Sequence, residues 1–556
     1  MLEKIAILAK FLKNIDEKDR DVLYLLLGDI YPEYDERKIG ISNQTAIKAI
    51  SKATGVDEKT VVHEWKGIGD LGKVAEKLTS KKKQATLHRN ILTIEKVLEN
   101  LRKLPELEGK GTVGKKLALI TELLTSASPS EALYLIRTLI GDLRIGVKES
   151  TVRDSMAAAF FPSSDNESVK KIQDAIDKSN DLMAVFDIVR DGKIDELEKI
   201  HLQVGKPVKV MLAQKAKNVH EAFEAVGKPC AIEYKYDGFR LLIHKKKDTI
   251  ILFTRRLENV TKQFPEVINY VRKYVSGDSF ILDSEAVGFH KKTKEYMPFQ
   301  EISQRIRRKY DIEKLQEELP IEINVFDILY YNGKSLLNEP FEKRTALIKK
   351  IISSHPYKII HAKQIITSDE DEAEKFYKQA LRDRQEGVMF KNLKKEYQPG
   401  SRVGHMLKIK PEARDLDLVI TGAEFGTGKR YEWLSSFILS CKDEKTGKFL
   451  EIGKMGTGIK EKSTEESKIG ISFNELTEKL RPYFTEEKGK SVKIKPKIVI
   501  SVSYQEIQHS PNYNSGFALR FPRFTALRPD KSPGDASTLR EVEKDFKSQK
   551  RSWRYG

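Results

Sequence analysis

Two hydrophobic rhythms divide the chain. Up to about residue 205, apolar residues recur every three or four positions, as in Ile91, Leu92, Ile94, Val97, Leu98 and Leu101, and again in Leu135, Ile136, Leu139, Ile140 and Leu143. That spacing lines one face of a helix. Pro105, Gly109, Gly111 and Pro129 punctuate the runs, as helix breakers do. The pattern predicts an all-α region over 1–205, with roughly eight or more helices of ordinary length. From Lys206 short segments rich in β-branched and aromatic residues take over: AIEYKYDGFRLLIH (231–244), TIILFTRR (249–256), SFILDSEAVGF (279–289) and INVFDILYYNG (323–333). They read as strands, with helical stretches at 342–352 and 371–382 between them, and predict an α+β domain over 206–412 with mainly antiparallel sheets. After Pro411 more short strands follow (416–426, 436–443, 449–456, 498–507) with glycine-rich turns. They suit a small β-barrel over 413–556, ending in a basic, loosely held tail, KSQKRSWRYG.

Length agrees with this division, since 556 residues at roughly 150 per domain give three or four domains. Charge adds a partner class. Lys and Arg number 100 against 82 acids, a net charge of +18, which favours polyanions such as nucleic acid. A heavily charged surface of the kind thermophiles carry is the other reading. No run of 18 apolar residues occurs, so no membrane span is expected. The N-terminal stretch lacks the core and cleavage pattern of a signal peptide. Two cysteines, Cys230 and Cys441, cannot build a four-cysteine zinc site and suggest no disulfide framework. A reducing, cytoplasmic compartment is the expectation.

The candidate chemistry begins with EYKYDGFR, 233–240. Lys235 sits in an apolar strand just before Asp-Gly, a turn signal, and is placed as an amine nucleophile at a strand end. Lys-x-Asp-Gly alone is short and common by chance. An amine must be neutral to attack phosphorus, yet an ordinary lysine is charged about 2,500 to one at pH 7. Burial and neighbouring cations shift that balance; Arg240, Arg255, Lys408 and Lys410 are the candidate cations. Glu285 and Glu386 stand in apolar contexts, where a carboxylate needs a metal or a lysine. Asp283, two residues from Glu285, shares its side of the strand. GAEFGTGKR (422–430) imitates a phosphate-binding loop, but Ala423 replaces the required glycine and Arg430 follows Lys429 where Ser or Thr is needed.

The strings FTRR (253–256), LDSEAVGF (282–289), VFDILYYNG (325–333), EGVMFK (386–391), LKIK (407–410) and ALRFPRFTALRPDK (518–531) follow Lys235 in order. As a set they resemble the covalent nucleotidyltransferases: DNA ligases, RNA ligases and messenger RNA capping enzymes. PVKVMLAQ (207–214) and DLRIGVKESTV (142–152) bring the resemblance closer to the multidomain ATP-dependent DNA ligases of archaea and eukaryotes, and it covers essentially the whole chain. The resemblance implies an all-α DNA-binding domain, an adenylation (nucleotidyltransferase) domain and an OB-fold β-barrel. It implies ATP and Mg2+ (with Mn2+ as an alternative) as cofactors, and nicked duplex DNA as the partner of a nucleoid-associated monomer acting in replication, repair and recombination. Lys235 is then the nucleophile. Glu233 accepts from the adenine amino group and Phe326 stacks on adenine. Glu285 contacts ribose or metal, and Glu386 is a metal ligand. Arg402 contacts phosphate or DNA. Asp530 and Lys531, in the stripe that also holds Arg520, Arg523 and Arg528, act on the pyrophosphate leaving group. A sliding clamp is a further partner by family, but the one string considered for it, QATLHRNIL (84–92), fits poorly.

Rivals stay open at this stage. An RNA ligase or capping enzyme shares the lysine chemistry, though neither accounts for the LRIG-containing helical region. An NAD-dependent ligase would need four cysteines in its zinc module. A DNA-binding scaffold with a decayed site would bind duplex with a steep salt dependence and form no nucleotide adduct.

Overall fold

The computed structural model describes residues 2–35, 37–81, 91–107, 109, 111–161, 166–308, 311–411, 414–426, 430, 433–461 and 471–555. Most of the string at 84–92, and positions 427–429 of the glycine-rich string, lie outside them. The chain forms two compact units, Met1–Lys410 and Pro411–Gly556.

The larger unit opens with helices whose ends are written in the sequence. Ser42, Asp57, Thr93 and Asp181 each accept a backbone N–H of the first turn that follows them, which satisfies donors the helix cannot. Ser128 and Glu131 form a reciprocal capping box. The Thr93 cap corrects the periodicity reading: the helix starts at Ile94, so Ile91 is left outside it and is 89% exposed. Two cores hold the layer, one around Ile50, Leu101, Ile120 and Ile136, the other around Leu12, Val152, Met156 and Phe186. The DLRIG string is a staple between helices. Arg137 and Arg144 both donate to Asp70 Oδ2, at 2.6 and 2.8 Å, and Arg144 also grips Asp142.

The rest of this unit is two mainly antiparallel sheets with helices between their strands, among them Pro265–Tyr274, Phe341–Ile351 and Glu370–Arg382. The first contains β1 (Leu212–Lys215), β2 (Cys230–Lys235), β9 (Gln364–Thr367), β10 (Gly387–Asn392) and β11 (Arg402–Ile409), in the order β1-β11-β10-β2-β9. The second contains β3 (Phe239–Lys246), β4 (Thr249–Thr254), β5 (Ser279–Gly288), β6 (Ile321–Tyr331), β7 (Lys334–Ser335) and β8 (Ile359–His361), in the order β4-β3-β5-β6-β7 with β8 on β6. Two pairs are parallel, β1 with β11 and β6 with β8. The apolar run at 231–244 is therefore two strands in different sheets. The chain leaves the first sheet at Lys235 and enters the second at Phe239. Gly238 permits the crossing, because a Cβ there would stand 2.2 Å from the Ala286 carbonyl oxygen.

His244 on β3 carries an acid liability. It is fully buried, accepts from Gly205 N at 3.1 Å through Nδ1, and its Nε2 has no partner among the described residues. Burial pushes its pKa down to about 3. The unfolded chain binds this proton near 6.5, so stability is complete above 6.5 and is lost as pH falls from there toward 3. Replacing His244 by Gln keeps an acceptor and removes the titration. Between pH 7 and pH 4 the variant is expected to lose roughly 3 kcal/mol less than the parent. Urea unfolding at the two pH values checks this; parallel losses would contradict it.

The smaller unit is strand-rich, with β12 (Arg414–Phe425), β13 (Leu434–Lys442), β14 (Phe449–Met455), β15 (Phe484–Lys488), β16 (Ser491–Ile494), β17 (Val499–Tyr504), β18 (Glu506–His509), β19 (Phe517–Arg520) and β20 (Arg523–Leu527). The long β12 pairs with β17 along its first half and with β16 along its second, and carries β13 on its other edge. Among the described residues the ladders do not close into a ring. β18 and β19 form a separate hairpin, and Leu519 approaches Gly453 of β14 without a ladder between them. The strand-rich domain expected here is present, as ladders that stay open among the described residues around one core that includes Leu418, Phe437, Phe473 and Val502. The chain ends in a helix, Leu539–Tyr555, whose Val542 is fully buried in that core. No helix among the described residues is long and apolar enough to cross a membrane.

Candidate active site

Lys235 ends β2 and stands across from Gly387 at the start of β10. That glycine is forced. Its φ is +146°, and a Cβ would lie 2.1 Å from the Ile409 carbonyl oxygen. With no side chain between them, lysines from either side converge on Glu386. Lys235 Nζ is 2.7 Å from Glu386 Oε2, and Lys410 pairs with the same oxygen. The backbone repeats the link, since Glu386 N donates to Lys235 O at 2.8 Å. Burial would raise the Glu386 carboxyl, but Lys235 and Lys410 outweigh it and hold it below the ordinary range. Lys408 lies two residues before Lys410, on the same side of its strand. Burial first, then the charges of Lys235, Lys410, Arg402 and Arg255, lower its pKa. Burial and Lys235 lower that of Lys410 as well. Lys408 and Lys410 therefore share the neighbourhood of Lys235, with the charges of Arg402 and Arg255 reaching Lys408, and the solvent-facing alternation that two strand lysines would otherwise suggest does not hold.

Glu285, on β5 opposite Arg240, is half-buried. No hydrogen bond or ion pair within the described residues reaches its carboxylate. Burial, with Lys235 and Arg240 opposing, pushes its carboxyl up to about 7. Gly238 again sets the spacing, since a Cβ would come within 3.0 Å of Glu285 Cγ. Arg240 has a different engagement. It grips Asp283 with two nitrogens, donates to Tyr397 Oη at 3.1 Å, and its guanidinium carbon is 5.2 Å from the Phe326 ring centre. Burial works against its charge, but Asp283 carries it above its ordinary value. In this structure Arg240 is braced against the site wall rather than held free for a phosphate.

Glu233 is buried two residues before Lys235. Lys391 Nζ is 2.6 Å from its Oε2, and Gln364 Nε2 donates to its Oε1 at 2.8 Å. Lys391 Nζ also donates to Phe326 O at 3.3 Å and lies 4.8 Å from that ring's centre. Phe326 thus sits half-buried between two cations, with Glu233 beside it. Reading the sequence missed Lys391, Gln364 and Tyr397 as members of this set, and it placed Asp283 beside Glu285 without giving it Arg240 as a partner. Lys391 offered the same signal as Lys235, a lysine inside an apolar strand. Gln364 offered none.

Asp530 and Lys531 belong to the smaller unit and have their own setting there. Arg528 makes two 3.0 Å bonds to Asp417 and one of 2.7 Å to Asp530. Lys531 donates to Asp417 Oδ2 at 2.7 Å. The hydrogen bond from Arg528 comes first among the causes that lower the Asp530 carboxyl to about 2. Asp417 is the member that the sequence did not single out.

Three family models match the chain: "DNA ligase N terminus" at residues 1–157, "ATP dependent DNA ligase domain" at 210–410 and "ATP dependent DNA ligase C terminal region" at 430–531. The chain is 45% identical over 547 residues to a DNA ligase of Nanoarchaeum equitans, covering 98% of this chain and 95% of that one. It is 40% identical over 549 residues to a DNA ligase of Thermococcus onnurineus, covering 99% and 95%. A solved structure titled Pmar-Lig_PreS3 matches with a TM-score of 0.53 at 19% identity, over 87% of this chain and 99% of that one. That likeness concerns the fold alone.

Proposed function

Because this chain belongs to the ATP-dependent DNA ligase family, we propose that it seals nicks in duplex DNA through a lysyl-AMP and a DNA-adenylate. Lys235 Nζ, as a neutral amine, attacks the α-phosphorus of ATP. A P–N bond forms, the bond to pyrophosphate breaks, and the amine proton is released. The 5′-phosphate at the nick then attacks the same phosphorus and returns Lys235. Finally the 3′-hydroxyl attacks the 5′-phosphate, joins the strand and expels AMP. Residues 1–205, 206–412 and 413–556 act as DNA-binding, adenylation and OB-fold modules. Backbone contacts suffice for the DNA, since a nick has no fixed sequence.

What supports this reading most is the pairing of Lys235 and Lys410 on Glu386, with Lys408 under the charges of both lysines and of Arg255 and Arg402. Such a surplus of positive charge stabilises the charge that builds on phosphate oxygens at transfer. A divalent cation fits beside it. Glu285 is a carboxylate without a partner, and no group of three or more His, Cys, Asp or Glu residues among those described could cage a metal. Glu285 and Glu386 would hold Mg2+, or Mn2+ as the alternative, in a shell completed by phosphate and water, which is how magnesium usually sits. When bound, that cation withdraws charge from the phosphate oxygens. Glu386 draws Lys235 and Lys410 together on one oxygen and offsets their mutual repulsion. We place the protein inside the cell at the nucleoid, acting as a monomer on nicked DNA. A sliding clamp is a further partner by family, with no segment assigned to it.

A label chase tests the reading. Incubation with ATP labelled at the α-phosphate is expected to leave label on the protein, and nicked duplex DNA is expected to remove it as labelled AMP while the sealed strand, joined through the DNA's own 5′-phosphate, carries none. Single-stranded RNA should leave the adduct intact. An absence of adduct, or a chase by RNA rather than by nicked DNA, overturns the proposal.

A further inference from the structure

Gln364 lies on β9 directly across from Glu233 of β2, and its amide can sit only one way round. Its Oε1 receives Lys349 Nζ at 3.0 Å, and its Nε2 donates to Glu233 Oε1 at 2.8 Å. An ammonium only donates and an ionised carboxylate only accepts. A flipped amide would set its NH2 against the ammonium and its carbonyl against the carboxylate, so the orientation follows from the two partners and not from a choice of atom names. Thr345, on the same helix as Lys349 (Phe341–Ile351), closes on this amide at 3.2 Å. From the other side Lys391 holds Oε2 at 2.6 Å, with side-chain exposures of 7% for the lysine and 3% for the glutamate.

The consequence concerns what Glu233 can offer a ligand. Burial raises this carboxyl above its ordinary value, with Lys391 and Gln364 opposing it, and both of its oxygens are already turned to accept, Oε2 from the Lys391 ammonium and Oε1 from the Gln364 amide. A neutral acid could donate a hydrogen bond as well as accept one, whereas an ionised one can only accept. We infer that Gln364, oriented by Lys349, is a positioning residue which, with Lys391, holds Glu233 as a fixed, acceptor-only carboxylate and so makes the site select a purine with an amino group at its 6-position. Adenine presents such a donor at its 6-position, where guanine presents an acceptor oxygen that this carboxylate repels. The inference rests on the proposed adenylate chemistry at Lys235, because Glu233 and Lys235 point to the same side of one strand. It adds two residues, Gln364 and Lys349, that no motif string contained.

The test uses the full chain, with adduct formation measured at varied concentrations of ATP and of purine riboside triphosphate, which lacks the 6-amino group. In the parent protein ATP is expected to be favoured over the analogue. In Gln364→Leu that preference is expected to shrink about tenfold or more, chiefly through a raised KM for ATP with the saturating rate nearly unchanged. Lys349→Met, on an exposed side chain, is expected to move the preference the same way by a smaller factor, and guards against a Gln364→Leu protein that fails to fold. A parent protein indifferent to the 6-amino group overturns the inference while leaving the ligase reading standing. So does an unchanged preference in Lys349→Met, or in a folded Gln364→Leu. A parent protein that forms no adduct even with ATP defeats the ligase reading itself.

Discussion

Lys235→Ala is expected to abolish the covalent AMP adduct while leaving duplex DNA binding close to normal. The lost group is one end of the bond that stores the adenylate, so no neighbour can substitute without rebuilding the geometry. A drop of roughly 10^4-fold or more is expected, as for other covalent nucleophiles. The variant should fold. Glu386 keeps Lys410 as its partner, so no buried carboxylate is stranded, and only one partly exposed side chain is truncated. Autoradiography of the protein after incubation with labelled ATP checks the first part, and a salt-resolved binding titration checks the second. Sealing of a pre-adenylylated nick separates the steps further. It needs no new lysyl-AMP and should survive far better than the complete reaction.

The second large effect is expected at Asp530 and Lys531. In our reading they serve the departure of pyrophosphate, so Asp530→Ala and Lys531→Ala should each slow adduct formation by about 10^2- to 10^3-fold, the usual loss when a group that stabilises transition-state charge is removed. Both should seal pre-adenylylated nicks at nearly the parent rate. The local fold tolerates either change, because Arg528 and Asp417 remain bonded to each other at 3.0 Å. Single-turnover rates for the two half-reactions check this. Equal losses in both steps would mean that the pair supports the smaller unit as a whole, and parent-like adduct formation in both variants would remove the pyrophosphate role.

The hydrophobic periods located the change from helices to strands near residue 205, and they placed Lys235 at a strand end because Asp-Gly follows it. Those signals are local. The sharing of one carboxylate by Lys235 and Lys410 is not, since it depends on the register that sets Gly387 opposite Lys235 and on Ile409 crowding that glycine. Burial was also illegible. Arg240 looks like any strand arginine until Asp283 and Tyr397, 43 and 157 residues away, close on it. Ile91 misled for the opposite reason. Its periodicity was right, but a threonine cap two residues later outweighed one more apolar contact. The C-terminal helix escaped because KSQKRSWRYG carries little apolar period of its own, and packing upstream, through Val542, supports the element.

The most direct measurement is where the adenylate sits. Labelled protein, digested and mapped by mass spectrometry, should carry AMP through a phosphoramidate on Nζ of Lys235, and the label should vanish from that peptide when nicked duplex DNA is added. Adenylate on Lys408, Lys410 or Lys391, with Lys235 unmodified throughout, would contradict it.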